Sequence, residues 1–366
     1  MLLAAASMSK ARSRYQGLTG IEAWRSGVEV NQWKEITGTG LGNLSFSMAA
    51  PNGSGPQSGK MDSWNGLVID DVGRVYSPWN GGHDDYWGNE VDVIDFRAGV
   101  PAWSRLEESS VSAAATTNQA YYSDGRPASC HSYGSLHYVA PDQRIIRAGS
   151  PAVSKSGFQH RECAGFDVAN GVTLAAGTIQ TFPNTISETG PVSFKDTSDN
   201  LYLFTAYSVY KYTRSTNTWD ATAVATNPDQ PGFQCSAALD TSRNRVLILG
   251  GHSVQNKHYL FTPPNTMTAV TITGDDAALA ERLGPGLAYC PDIDRFLLRL
   301  NTSGGALYSI HPTTFAITAI ATSGGDSIAA TDQNAVYTRF LTLPSPMNGV
   351  IYYPRFSSNA WYFRTS

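Results

Sequence analysis

The stretch Gly81-Gly82-His83-Asp84-Asp85-Tyr86-Trp87-Gly88-Asn89-Glu90 runs into the alternating segment Val91-Asp92-Val93-Ile94-Asp95-Phe96 and, past a turn, into Pro101-Ala102-Trp103-Ser104-Arg105-Leu106. Two glycines close one strand, a polar loop follows, and a period-2 apolar run opens the next strand. The same order returns at Gly250-Gly251-His252, then His258-Tyr259-Leu260-Phe261, then Met267. A unit of short strands is therefore repeated along the chain.

The repeat is counted from the bulky residue of each outermost strand. Trp33, Trp103, Val172, Trp219, Met267 and Phe315 mark it, at spacings of 70, 69, 47, 48 and 48 residues. The last three spacings are bare units of roughly 50 residues. The first two carry about twenty more, assigned to loops at 38–60 and 109–129. After Phe315 only three strands remain, at 339–343, 349–353 and 360–364, while the strand around Trp33 stands alone at the front. Pairing the two removes two exposed edges, which closed β architectures require.

This grammar resembles a kelch repeat, the four-stranded blade of galactose-oxidase-like β-propellers. The expected fold is all-β: a six-bladed propeller, with seven blades as the alternative. Residues 1–30 form a leader or docking arm and 31–366 the propeller, the strand near 31–37 completing the blade of 338–366. Composition agrees, with 15% charged residues, 34 Gly and 18 Tyr, and no long amphipathic helix. The longest helical candidate is Asp275–Arg282.

A net charge of −4 and the absence of a basic cluster beyond Lys10-Ala11-Arg12-Ser13-Arg14 argue against nucleic acid as a partner. The four cysteines show no CxxC spacing. Met1–Ser7 is too short for a signal peptide and lacks a basic front. No apolar stretch reaches membrane-spanning length. Synthesis in the cytoplasm without membrane insertion is expected.

In a blade whose strands run a (innermost) to d (outermost), the b–c loops and the d–a crossovers share one face. The loops at 81–90, 150–162 and 250–258 are of the first kind and 109–132 of the second. They gather five of the seven histidines, His83, His131, His160, His252 and His258, on one face. Such loops on a rigid scaffold are where binding residues concentrate. The candidate binding set is His83, Asp84, Asp85, Tyr86, Trp87, Arg126, His131, His160, Arg161 and His252. The glycines also serve backbone geometry there, and His83 has a packing role as its alternative. His137 and His311 read as structural. With no HxH or HxxxH spacing, no G-x-S-x-G and no phosphate loop, neither metal nor cofactor is expected.

Two further resemblances bear on function. The β-propeller polysaccharide lyases, such as the ulvan lyases, imply His and Tyr as base and acid. The catalytic candidates on that reading are His83, His131, Tyr86, Tyr133 and Arg161. The leader with Asn31-Gln32-Trp33, the entry Met61-Asp62-Ser63-Trp64-Asn65-Gly66, the GGHDDYWGNEV loop and the ending Trp361-Tyr362-Phe363-Arg364 are similar to propeller proteins of tailed bacteriophages and bacteria. That likeness implies a virion or surface-associated structural or attachment protein. Other virion or surface proteins, a polysaccharide, or further copies of the chain in an assembly would be its partners. The expected function is attachment, the loop face contacting partner subunits or a host glycan; a lyase acting on uronic-acid polymers and a stand-alone glycan-binding module are the alternatives.

Overall fold

The computed structural model describes residues 21–44, 57–82, 86–115, 118–151, 153, 159–186, 192–205, 207–226, 234–249, 257–331 and 335–366. Strand β1 (Trp33–Ile36) comes first. Blade one follows as β2 (Val68–Ile69), β3 (Arg74–Pro78), β4 (Val91–Asp95) and β5 (Trp103–Glu107). Blade two is β6 (Leu136–Val139), β7 (Arg144–Arg147), β8 (Ala164–Asp167) and β9 (Val172–Thr173). Blade three is β10 (Val192–Lys195), β11 (Leu201–Thr205), β12 (Ser208–Thr213) and β13 (Thr218–Trp219), with β14 (Ala225–Thr226) also on β12. Blade four is β15 (Ser236–Asp240), β16 (Arg245–Leu249), β17 (His258–Thr262) and β18 (Thr266–Val270). Blade five is β19 (Gly286–Cys290), β20 (Arg295–Arg299), β21 (Leu307–Ile310) and β22 (Ile317–Ile320).

Blade six contains β23 (Phe340–Thr342), β24 (Gly349–Tyr352) and β25 (Ala360–Arg364), and β1 completes it in the order β1-β25-β24-β23. The closing pair is antiparallel, with Trp33 opposite Phe363 and Ile36 opposite Ala360. Six antiparallel sheets in a ring make a six-bladed β-propeller.

Why the middle strands read as continuous apolar runs follows from this packing. Both faces of a blade are covered by neighbours, so both sets of alternating side chains are buried. On β20, Phe296 and Leu298 belong to the core against blade four, and Leu297 to the core against blade six. Six apolar clusters fill the six blade junctions, including the one joining Leu341 and Ile351 of blade six to Val75 and Ile94 of blade one.

The turns between strands a and b repeat a sequence device. Asp70 Oδ1 accepts from the backbone N–H of Val72 (3.0 Å) and Arg74 (2.9 Å). Asp196 does the same for Ser198 (2.9 Å) and Asn200 (3.0 Å). A carboxylate that bonds its own backbone two residues on favours the tight turn, and the hydroxyls of Tyr76 and Tyr202 complete it at 3.2 and 3.1 Å.

Two sequence expectations shift. Phe315 is a turn residue with φ of 56°, so Ile317 is the inward anchor of the outermost strand in blade five. Residues 277–281 form a short 3-10 helix rather than two α-helical turns. Of the leader, the helix Ile21–Arg25 lies against the propeller. Trp24 is buried against Phe96 and Tyr362 and donates Nε1–H to the Phe96 carbonyl at 3.1 Å. Lys10, Arg12 and Arg14 lie outside the described residues.

Candidate site on the loop face

Strand order places the b–c loops and the d–a crossovers on one face. His83, Asp84, Asp85 and His252 lie outside the described residues. The glycines before them are described. Gly81 (φ 149°) and Gly82 (φ 88°) carry positive φ, and Gly82 N–H reaches the Tyr86 carbonyl at 2.8 Å and Ser129 Oγ at 2.7 Å. A Cβ on Gly81 would meet the Tyr86 carbonyl and the Ser129 hydroxyl, so this position requires glycine. Gly81 N–H also bonds the Cys130 carbonyl at 3.2 Å, which ties this loop to the crossover carrying His131.

Every crossover described at this position turns on one residue with left-handed backbone: Trp64 (φ 49°), Tyr133 (45°), Gln234 (59°), Gly284 (46°) and Tyr337 (48°). Backbone bonds link them around the channel end. Tyr133 N–H donates to the Trp64 carbonyl (2.9 Å), Gly284 to Gln234 (2.9 Å) and Tyr337 to Gly284 (3.0 Å). Left-handed backbone costs a bulky residue roughly 1–2 kcal/mol, and such conformations cluster at functional positions. Sequence pattern missed Trp64 and Tyr337, because no propensity marks an aromatic residue for this conformation.

The structure brings His131 and Tyr133 together. Both are buried, the Tyr133 hydroxyl lies 3.5 Å from His131 Nδ1, and the His131 ring sits 5.1 Å from that of half-buried Trp64. Tyr133 meets Tyr337 edge-on at 5.5 Å. Asn65 fixes the floor, donating to the Gly59 carbonyl at 2.8 Å and accepting Ser132 N–H at 2.9 Å.

Tyr86 and Trp87 belong to a different, buried environment. Tyr86 donates to Glu90 Oε1 at 2.8 Å. Lys60 Nζ, wholly buried, lies 3.4 Å from the same oxygen and 3.1 Å from Asp92 Oδ2, while Arg105 Nε reaches Asp92 Oδ1 at 2.9 Å. Burial, and then the Glu90 charge, push the Tyr86 hydroxyl far above its ordinary range. Tyr86 thus stays protonated and spends its hydrogen on Glu90 as an anchor of the loop. The Trp87 carbonyl accepts the Tyr122 hydroxyl at 2.7 Å.

The remaining candidates have separate partners. Arg126 Nη2 lies 3.5 Å from Glu107 Oε1. His160 Nε2 is 3.0 Å from Asn118 Oδ1, and burial lowers its pKa despite Glu162 at 3.8 Å. Arg161 is exposed and donates to the Pro183 carbonyl at 3.2 Å. His258 is buried at the start of β17, where burial lowers its pKa. Among the described residues no group of three or more His, Cys, Asp or Glu side chains could hold a metal ion. No described helix is long and apolar enough to cross a membrane.

Among the described residues this face also carries half-buried Trp64, and Tyr207 (51% exposed) in the b–c turn of blade three. No family model matches the sequence, and no curated protein matches it.

Proposed function

We propose that the protein is a non-catalytic attachment propeller, of the kind borne by bacteriophage particles, whose loop face recognises a host glycan. The observation that carries this reading is the division of labour on that face. Side chains of the right type for proton transfer are committed to the fold, Tyr86 by Glu90 and His160 by Asn118. Trp64 and Tyr207 instead offer aromatic surface to solvent. Rings of this kind bind sugars by stacking on their apolar faces while hydroxyls hydrogen-bond alongside. The virion setting rests on the sequence resemblance.

One contact favours a lyase as the second reading: the Tyr133 hydroxyl beside His131 Nδ1 would pair an acid with a base. A single experiment separates the two. The protein is incubated with a panel of bacterial surface and uronate polysaccharides, with retention on immobilised polymer and ultraviolet absorbance of unsaturated uronate both recorded. Binding without absorbance, weakened about tenfold in Tyr207→Ala, supports attachment. Absorbance that disappears in His131→Ala overturns it in favour of the lyase, and retention of no polymer removes the glycan.

A further inference from the structure

The innermost strands of all six blades enclose a channel of about 450 Å³ that the loop-face site does not use. Its end at the a–b turns is lined by exposed Thr241, Pro291, Asp292 and Ser345, and its far end by buried Ser236 and Tyr337. The channel therefore opens on the face opposite the loop site. Its walls are largely apolar, with Val68, Leu136 and Leu287 typical. Pockets of roughly 300–1,000 Å³ with apolar walls and a few fixed polar groups are the usual form of small-molecule sites.

The polar groups inside are oriented. Ser193 Oγ donates to the Gly134 carbonyl at 3.1 Å, which uses its single hydrogen. With that hydrogen so used, His137 Nε2, 2.7 Å from Ser193 Oγ, is the donor of the pair. Burial, and then the Lys195 charge, lower the His137 pKa to about 3, so the ring is neutral and carries one proton. That proton is on Nε2, and Nδ1 is left as an acceptor with no hydrogen-bond donor among the described residues. At the inner end the Tyr337 hydroxyl is buried without a hydrogen-bond partner among the described residues. At the mouth stand the carboxylates of Asp71 and Asp292, whereas Lys195 is held by Asp199 at 2.6 Å and the Tyr138 carbonyl at 2.7 Å.

We propose that this channel binds a small, uncharged and largely apolar molecule bearing a hydroxyl group, which enters from the a–b turn face and donates to His137 Nδ1. Apolar walls disfavour a charged ligand, the carboxylates at the mouth repel an anion, and the fixed acceptor selects a donor. The proposal is independent of the glycan reading, because it uses the other face and other residues.

The test titrates the whole protein with benzyl alcohol, toluene and benzoate by ligand-observed NMR. Benzyl alcohol should bind about tenfold more tightly than toluene, the worth of one buried hydrogen bond, and benzoate more weakly than either. His137→Phe, which keeps an aromatic ring and removes the acceptor, should bring benzyl alcohol down to toluene. Ala237→Phe, which fills the channel and leaves His137 in place, should abolish binding of both. Circular dichroism checks the fold of each variant. Equal affinity for benzyl alcohol and toluene in the unaltered protein overturns the proposal without recourse to any variant. A preference that survives His137→Phe, or binding that survives Ala237→Phe, overturns it as well.

Discussion

Closure of the ring by the strand at Trp33 invites a quantitative test. Trp33 is 2% exposed and packs between blades five and six, its ring centroid 4.9 Å from Phe363 and 6.4 Å from Tyr352. Its Nε1–H donates to the Gly305 carbonyl at 2.9 Å. Gly305 and Gly325 make room for the indole, since a Cβ on either would lie 2.8 Å from it. Little can collapse into the space that Trp33→Ala would leave. Truncating a buried Trp costs about 3–5 kcal/mol and the lost hydrogen bond about 1 kcal/mol more. With an unfolding entropy of about 2.1 cal/mol/K per residue, the melting temperature should fall by about 5–8 °C. Thermal melts by near-ultraviolet circular dichroism measure this, with Val100→Ala, at an 82% exposed position, as the unshifted control. Deleting residues 21–37 should do more, because the edge of β25 is then free to pair with other chains and aggregate. A Trp33→Ala shift below about 2 °C would refute the closure argument.

Further outcomes follow from single sites. For His137 the folded-state pKa, about 3, lies below the unfolded value near 6.5, so the unfolded chain binds the proton more readily. Its contribution is complete above pH 6.5 and declines by about 1.4 kcal/mol per pH unit as pH falls towards 3; urea titrations should show that slope in the difference between the unaltered protein and His137→Phe, and a flat difference would contradict the burial. Lys60→Met leaves buried Glu90 without its cation and Asp92 with Arg105 alone and should cost about 3–5 kcal/mol, partly recovered when Glu90→Gln is added; a neutral single variant would show that the cluster is hydrated. Gly81→Ala should destabilise by about 1–3 kcal/mol, since φ is 149° and the Tyr86 carbonyl and Ser129 hydroxyl occupy the Cβ position; a silent substitution in a urea melt would mean that the loop moves freely. Arg299→Met should loosen the b–c loop of blade five, whose Thr302, Gly304 and Ala306 carbonyls the guanidinium holds at 2.7–3.1 Å, and hydrogen exchange at 302–306 reports it.

The sequence by itself determined the blades, their number and the closing strand. Alternation with period 2, a recurring bulky residue near the outermost strand of each unit and an orphan strand at Trp33 are local signals, and a propeller is a sum of local hairpins. The topology in turn placed the loops that carry His131 and His160 on one face. Only the tertiary structure decided which side chains meet. Tyr86 and His131 lie in neighbouring crossover and loop segments with the same expected role, yet Tyr86 is bound to Glu90 above a buried lysine and His131 rests on Trp64. Those pairings join residues up to 67 positions apart, as for Trp64 and His131, through left-handed turns that no propensity forecasts for Trp or Tyr. The channel was equally invisible. His137 reads as a strand residue packed among apolar neighbours, and nothing in its own segment reveals that Ser193, from the next blade, fixes its proton on Nε2. Side-chain direction along a strand is set by neighbours one residue away, whereas contact across blades is set by the whole ring.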